Sequence, residues 1–252
     1  MEKYIIMIAG FAIPVNLPRV IFHNEVLLMK ITFLGQAGLL FEKDGKKIMI
    51  DPYFSDSVGK KNPKKHRRVP VDDSFFNLSP DVIIFTHNHL DHYDPETAER
   101  LITQDTNLTV LAPTSVWNEV WKIGGENNYV LFDRWFQWTQ FGIRFSAVKA
   151  AHSDAYAIGV IIDDGEKKYY ITGDTLYSTE IFADLPKDID VVFLPVNGVG
   201  NNMNMEDAAR FARDIGAKQA VPVHTGLFDD LSAADFDFEN KVIPEIYKEI
   251  IL

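Results

Sequence analysis

"THNHLDHYDPET", residues 86–97, places three histidines and an aspartate within six positions: His87, His89, Asp91 and His92. The whole chain of 252 residues has only seven histidines. "DVIIF" (81–85) precedes the stretch and reads as a buried strand. "DPETAERL" follows and reads as a helix start, with Asp94 as N-cap and Pro95 at the first helical position. The histidines therefore occupy the loop between a strand's C-terminal end and a helix N-terminus. In an extended segment residues i and i+2 point to one side. His87 and His89 would present their imidazoles together, at a spacing suited to one cation. Asp91 and His92 lie where the chain turns and could address a second cation nearby.

Further donors stand in similar places. His152 follows "IRFSAVKAA", Asp174 follows "KYYITG", and His224 follows "AVPV". Each ends an apolar run, where a sheet would present side chains along one edge. Imidazole and carboxylate without sulfur suit zinc, manganese or iron. One histidine after a strand is more often a hydrogen-bonded structural residue, and Asp174 alone could be a turn residue. The compact His-x-His-x-Asp-His together with three strand-end donors favours a metal site. His23 and His66 fall outside the pattern.

The rest of the chain reads mostly as strands, rich in Val, Ile, Phe and Tyr, from "KITFLG" near residue 30 to "AVPVH" at 220–224. Asp-Gly in "EKDGKK" (42–47) predicts a tight hairpin. A helix is expected at "NMEDAARFARDIG", with Asn204 as N-cap and Gly216 as terminator. Another is expected at "PEIYKEIIL", with Pro244 at its start. Strands with helices inserted late in each half suggest sheets covered by helices. "MKITFLG" at Met29 looks like a domain start. Residues 1–28 then form an extension packing on a single domain, 29–252. Tyr4–Val15 is apolar enough to imitate a signal segment. Glu2 beside Lys3, and Pro14, favour a strand or packing arm instead.

Composition sets limits. Charged residues make up 24% and the formal net charge is −11. Long nucleic acid is a poor partner for such a chain, because phosphate contacts need clustered Lys and Arg. No segment approaches the ~20 apolar residues of a membrane span. There is no cysteine, which excludes disulfides and thiolate chemistry and fits a cytoplasmic location.

His87-x-His89-x-Asp91-His92, then His152, Asp174 and His224, resembles the metallo-β-lactamase-fold hydrolases over about residues 30–226. The resemblance implies an α+β fold, a four-layer αββα sandwich, with two metals at one edge. By it, His87, His89 and His152 hold the first metal. Asp91, His92 and His224 hold the second, Asp174 bridges, and Asp51 braces the metal loop from behind. Thiolate-ligand β-lactamases need a cysteine. Oxygen-reducing diiron members carry Glu where His89 stands. Both departures disfavour those activities. "FLGQAGLLFEKDGKKIMIDPYFSDSV", "FLPVNGVGNNMNMEDAARFA" and "VPVHTGLF" resemble the ascorbate-6-phosphate lactonase-like branch, and more distantly the phospholipase-D-type members. That branch often forms homo-oligomers.

The expected enzyme is a dinuclear metal-dependent hydrolase, using a metal-bridging hydroxide on a small, phosphorylated or otherwise anionic lactone. A phosphodiesterase and a non-catalytic metal-binding protein are the alternatives. Asp91 and Asp174 are the candidate catalytic carboxylates, with Asp91 favoured for taking up a proton. The basic segment "KKNPKKHRR" (60–68) offers an anion-capturing loop, with Lys64, Arg67 and Arg68 as candidate contacts. Tyr53, Tyr177 and Asn197 flank donor segments and are candidate substrate contacts. The four tryptophans are expected in the core or at a subunit contact.

Overall fold

The computed structural model describes residues 3–8, 11–16 and 28–252, the first two segments by their backbone alone. β1 (Lys3–Ile8) and β2 (Phe11–Asn16) pair antiparallel in a two-stranded sheet of their own. The expected packing of residues 1–28 on the domain rests on residues outside those described.

The first large sheet holds β3 (Lys30–Gly35), β4 (Gly38–Lys43), β5 (Lys46–Ile50), β6 (Val82–Ile84), β7 (Thr109–Ala112) and β8 (Asn128–Leu131), in that spatial order. β3, β4 and β5 are antiparallel, and β5 to β8 run parallel. The β4–β5 turn is the Asp-Gly hairpin, with Asp44 at φ 51° and Gly45 at φ 74°, the left-handed pair such a turn needs. The second large sheet holds β9 (Gln137–Gln140), β10 (Ile143–Lys149), β11 (Ile158–Asp163), β12 (Lys168–Ile171), β13 (Val191–Pro195) and β14 (Gln219–Val223). Its strands are antiparallel from β9 to β12 and parallel from β12 to β14. The short polar β9, "QWTQ", lacks the apolar run by which the other strands are read.

Alternation along the strands assigns three cores. Ile31, Phe33, Phe41, Ile48, Ile50 and Ile84 face Phe145, Val160, Ile171, Phe193 and Val221 between the sheets. Leu40, Met49, Ile83 and Phe85 point outward beneath α2 (Pro95–Leu101) and α3 (Thr114–Val120). Ile161, Tyr170, Val192 and Leu194 point outward beneath α4 (Met205–Asp214). A short α1 (Ser57–Lys61) opens the basic segment. Helix, sheet, sheet and helix thus make the four layers. Strands buried on both faces read as unbroken apolar runs, as in "VVFLP". Asn204 caps α4 as expected, accepting from Asp207 N at 2.8 Å. Among the tryptophans, Trp138 packs against the central core, whereas Trp121 and Trp135 are exposed.

The expected helix at 244–252 does not form. That segment runs beside β3: Phe33 N donates to Lys248 O, Tyr247 N to Phe33 O, and Ile250 N to Ile31 O. Tyr247 takes φ 64°, which a helix does not tolerate. Edge pairing with β3 and burial of Ile250 in the central core outweigh the local helical pattern.

Candidate metal centre

All the strand-end donors come to one edge, the C-terminal ends of the parallel strands. Asp51 leaves β5, the histidine loop leaves β6, Asp174 lies past β12, and His224 follows β14. His152 follows β10, which is antiparallel to β11 and so runs in the same direction as β12, ending at the same edge. Parallel strands place their outgoing loops together at that edge.

Asp51 organises the histidine loop. Its carboxylate is fully buried and accepts from Thr86 N at 2.8 Å, Thr86 Oγ1 at 2.5 Å and His92 Nδ1 at 2.8 Å. The bond to a carboxylate puts the His92 proton on Nδ1 and leaves Nε2 as the lone-pair end. The Thr86 hydroxyl spends its proton on Asp51, so its oxygen, 3.1 Å from His87 Nδ1, accepts from that ring. His87 Nε2 is then free as well. His152 Nδ1 donates to Asn201 O at 3.3 Å, with Nε2 turned to His89 Nδ1 at 3.1 Å.

The free ends converge. His92 Nε2 faces Asp174 Oδ1 at 3.2 Å, and neither atom, though buried, makes a hydrogen bond. His87 Nε2 is buried and unpartnered too, 4.0 Å from Asp174 Oδ2. His224 Nε2 lies 3.3 Å from both Asp91 Oδ2 and Asp174 Oδ2. Buried polar atoms without partners are costly and rare, and here several aim at common points. Two groups result: His87, His89, His152 and Asp174, and Asp91, His92 and His224. Within each, the donor atoms lie within 4.8 Å of one another. The residues fit divalent cations, with nitrogen and oxygen donors only.

Electrostatics follow from this crowding. Burial lowers the His87 pKa well below the usual histidine value, and the neighbouring His92 adds to the effect. Burial opposes charge on His92 and His224 as well. At His92 the carboxylates of Asp174, Asp51 and Asp91 outweigh it and raise the pKa. At His224 those of Asp174 and Asp91 raise it to about 9. Asp91 and Asp174 are held well below the ordinary carboxylate range: against burial, His92 and His224 favour their charged forms.

Some of the left-handed backbone lies at the same edge. Gln36, Asp51 and His224 sit at φ 54°, 43° and 66°, a region most residues avoid. Gly173, at φ 60°, lets Asp174 swing in; a Cβ there would meet Ile158 O at 2.9 Å.

Two residues without a sequence signal complete the edge. Gln36 Nε2 donates to Asp91 Oδ2 at 2.7 Å and lies 3.0 Å from both His224 ring nitrogens, and Gln36 O accepts from His224 N. Asn202 Nδ2 donates to Asp174 Oδ2 at 2.9 Å. Amides beside glycines or in Asn-rich loops read as turn residues.

The candidate substrate contacts fall in different places. Asn197 Nδ2 lies 2.8 Å from His224 Nδ1, while Asn197 Oδ1 is buried without a partner. The amide turned over would accept from Nδ1–H and leave Nε2 bare. Tyr53 is 1% exposed, with its hydroxyl accepting from Val58 N. Tyr177 donates to Asp214 Oδ2 on α4 at 2.6 Å. Arg67 donates to Tyr53 O at 2.6 Å and Tyr247 Oη at 2.7 Å. Arg68 pairs with Asp230 and Lys60 with Glu96. Lys64 is exposed. A cleft of about 600 Å³, lined by Lys167, Asp190, Lys218 and Lys241 among others, opens beside the starts of β12, β13 and β14, away from the donors.

Residues 46–225 match the beta-lactamase superfamily domain. The chain belongs to the beta-lactamase superfamily. A relative from Ligilactobacillus salivarius, named UPF0173 metal-dependent hydrolase, is 32% identical over 87% of this chain and 95% of its own length. One from Pyrococcus furiosus, named UPF0173 protein PF0020, is 30% identical over 84% of this chain and 90% of its own. Among solved structures, Igni18, a metallo hydrolase from Ignicoccus hospitalis, superposes with a TM-score of 0.71 at 20% identity. It covers 88% of this chain and 97% of its own. At that identity the likeness concerns the fold alone. Among the described residues of this superfamily member, no helix is long and apolar enough to cross a membrane.

Proposed function

We propose that the chain is a metal-dependent hydrolase that opens a carboxylic ester, a lactone above all, at a pair of divalent cations, manganese or zinc. The observation that carries this reading is the convergence of unpartnered His87 Nε2, His92 Nε2 and Asp174 Oδ1 within two adjoining donor groups. The names of the UPF0173 relatives support the hydrolase part. When bound, such a pair would bring the pKa of a water between the cations down to about 7 and offset charge developing on the substrate oxygen.

The chain's own residues do the rest. Asp174 belongs to the first donor group and also lies 3.2 Å from His92 Nε2 and 3.3 Å from His224 Nε2 of the second, so its charge acts on both. Asp51 and Thr86 fix the tautomers of His92 and His87. Gln36 and Asn202 hold Asp91 and Asp174 by one oxygen each, leaving the other for a cation or a proton. The Asp91 side chain is 19% exposed and that of Asp174 6%. Asp91 is therefore the carboxylate placed to receive a proton at the mouth. The similarity of the flanking segments to the ascorbate-6-phosphate lactonase-like branch favours a lactone.

The test is metal content, then hydrolysis of lactones, aryl esters and phosphodiesters by manganese- and zinc-loaded protein. Lactone opening is expected, with metal and turnover both lost in Asp174→Ala and His89→Ala. Turnover of phosphodiesters alone, or variants that keep both metal and rate, would overturn the reading.

A further inference from the structure

Three large apolar side chains stand in the open at this edge: Tyr156, 51% exposed, Leu176, 44%, and Val199, 56%. Scattered exposed apolar residues are ordinary, but these lie on adjoining loops that carry the donors. Tyr156 comes four positions after His152, and Leu176 two after Asp174. Val199 comes two after Asn197, which touches His224. The loops are bound to one another. Leu176 N donates to Ala151 O at 2.9 Å, Met203 N to Thr175 O at 2.9 Å, and Gly198 N to Met203 O at 3.0 Å. Tyr156 N donates to Asp154 Oδ1, whose Oδ2 accepts from Asn88 N in the histidine loop. The three loops are therefore joined into one lip, from which these side chains are exposed.

The lip also lacks cations. Residues 150–157, 173–178 and 196–204 contain no Lys or Arg. Lys149, just before them, is paired with Glu180. In the basic segment, Lys60, Arg67 and Arg68 are engaged as described, while Lys61, Lys64 and Lys65 are exposed outside the lip. An anionic group on a substrate would find hydrocarbon and neutral amides at this lip. An alkyl or aryl group would remove apolar surface from water on both sides.

We infer that the lip formed by Tyr156, Leu176 and Val199 is a subsite for the hydrocarbon part of the substrate. The substrate class is then a neutral ester or lactone carrying an alkyl or aryl substituent. This rests on the hydrolase reading above. The reaction adds water across the acyl C–O bond: the hydroxyl goes to the acyl carbon and the proton to the leaving alcohol oxygen.

The test uses the full chain loaded with manganese or zinc and a series of γ-lactones whose side chain grows by one carbon at a time. kcat/KM is expected to rise roughly 2- to 4-fold per methylene, mainly through KM. The exposed-site double variant Leu176→Ser/Val199→Ser should flatten that slope, with circular dichroism confirming the fold. A flat slope in the unaltered protein, or faster opening of phosphorylated lactones, overturns the inference while leaving the hydrolase reading intact. A calorimetric comparison of butanoate and octanoate binding serves if no ester is turned over. Octanoate binding at least about 10-fold tighter, and not so in the double variant, upholds the lip although the hydrolase reading has failed. Equal affinities overturn it.

Discussion

Asp51→Asn isolates the bracing of the metal loop from the donors themselves. Asparagine keeps the volume and accepts the left-handed φ of 43° about as well as aspartate does; alanine would add strain to the loss of bonds. Three donors converge on this carboxylate, Thr86 N on one oxygen and Thr86 Oγ1 and His92 Nδ1 on the other. An amide has one acceptor, so in its better orientation Nδ2 faces the fixed Thr86 N–H, donor against donor. The remaining bonds lose their charge assistance. A bond to a buried charged group contributes about 1.5–3 kcal/mol, so the metal-free fold should lose roughly 2–4 kcal/mol. Loss of such an outer carboxylate weakens a metal site by about 10- to 100-fold. The effect should be larger at the group containing His92, which Asp51 touches directly, than at the group containing His87, reached through Thr86. The assay is metal content by mass spectrometry after dialysis against buffered free zinc or manganese, beside urea denaturation of the stripped protein. The variant should retain about one ion where the unaltered protein retains two. Unchanged affinity at both sites would refute the bracing role.

His224 makes stability depend on pH. In the stripped protein its pKa is raised to about 9. Its contribution is thus fully present below the ordinary histidine value of about 6.5 and is lost as pH rises through 9. That loss, on the order of 3 kcal/mol, should appear as a falling urea midpoint between pH 6.5 and 9.5, absent in His224→Gln; a level midpoint would contradict it. Metal binding displaces the same proton, so the extra stability given by zinc should widen over that range. Arg67→Ala removes bonds to Tyr53 O and Tyr247 Oη and should cost roughly 2 kcal/mol. KM for anionic lactones should stay constant; a large rise in KM with intact stability would make Arg67 a substrate contact after all. Tyr177→Phe loses a bond to Asp214 on the far side of its loop, and any fall in kcat above about tenfold, or roughly 1.4 kcal/mol, would show that the hydroxyl reaches the reaction.

The legible part of the fold was the part that burial dictates. Runs such as "VIIF", "IGVIID" and "VVFLP" are apolar on both faces because sheet and helix cover them, and a polar donor closes several of these runs. The donors could therefore be read as strand-end residues, and they do lie together. Gln36 could not be read so. Its partners, Asp91 and His224, are 55 and 188 positions away, and nothing local marks it out from a turn glutamine. The segment at 244–252 misled for the opposite reason: its local pattern is helical, but the open edge of β3 satisfies its backbone, and Ile246 and Ile250 reach the core while Ile251 stays exposed. The basic segment likewise looked like one patch in sequence, whereas Glu96, Tyr53, Tyr247 and Asp230 divide it among different neighbours.

Each donor group draws on both sheets. His87 and His89 need His152 and Asp174, and Asp91 and His92 need His224. A nascent chain that has completed the first sheet carries four donors and lacks three. At ordinary rates of synthesis the last donor arrives roughly ten seconds or more after His92. During that interval neither donor group is complete. On the proposed metal-dependent reading, tight binding at either group waits for the second sheet, because a full donor set exists only in a nearly finished chain.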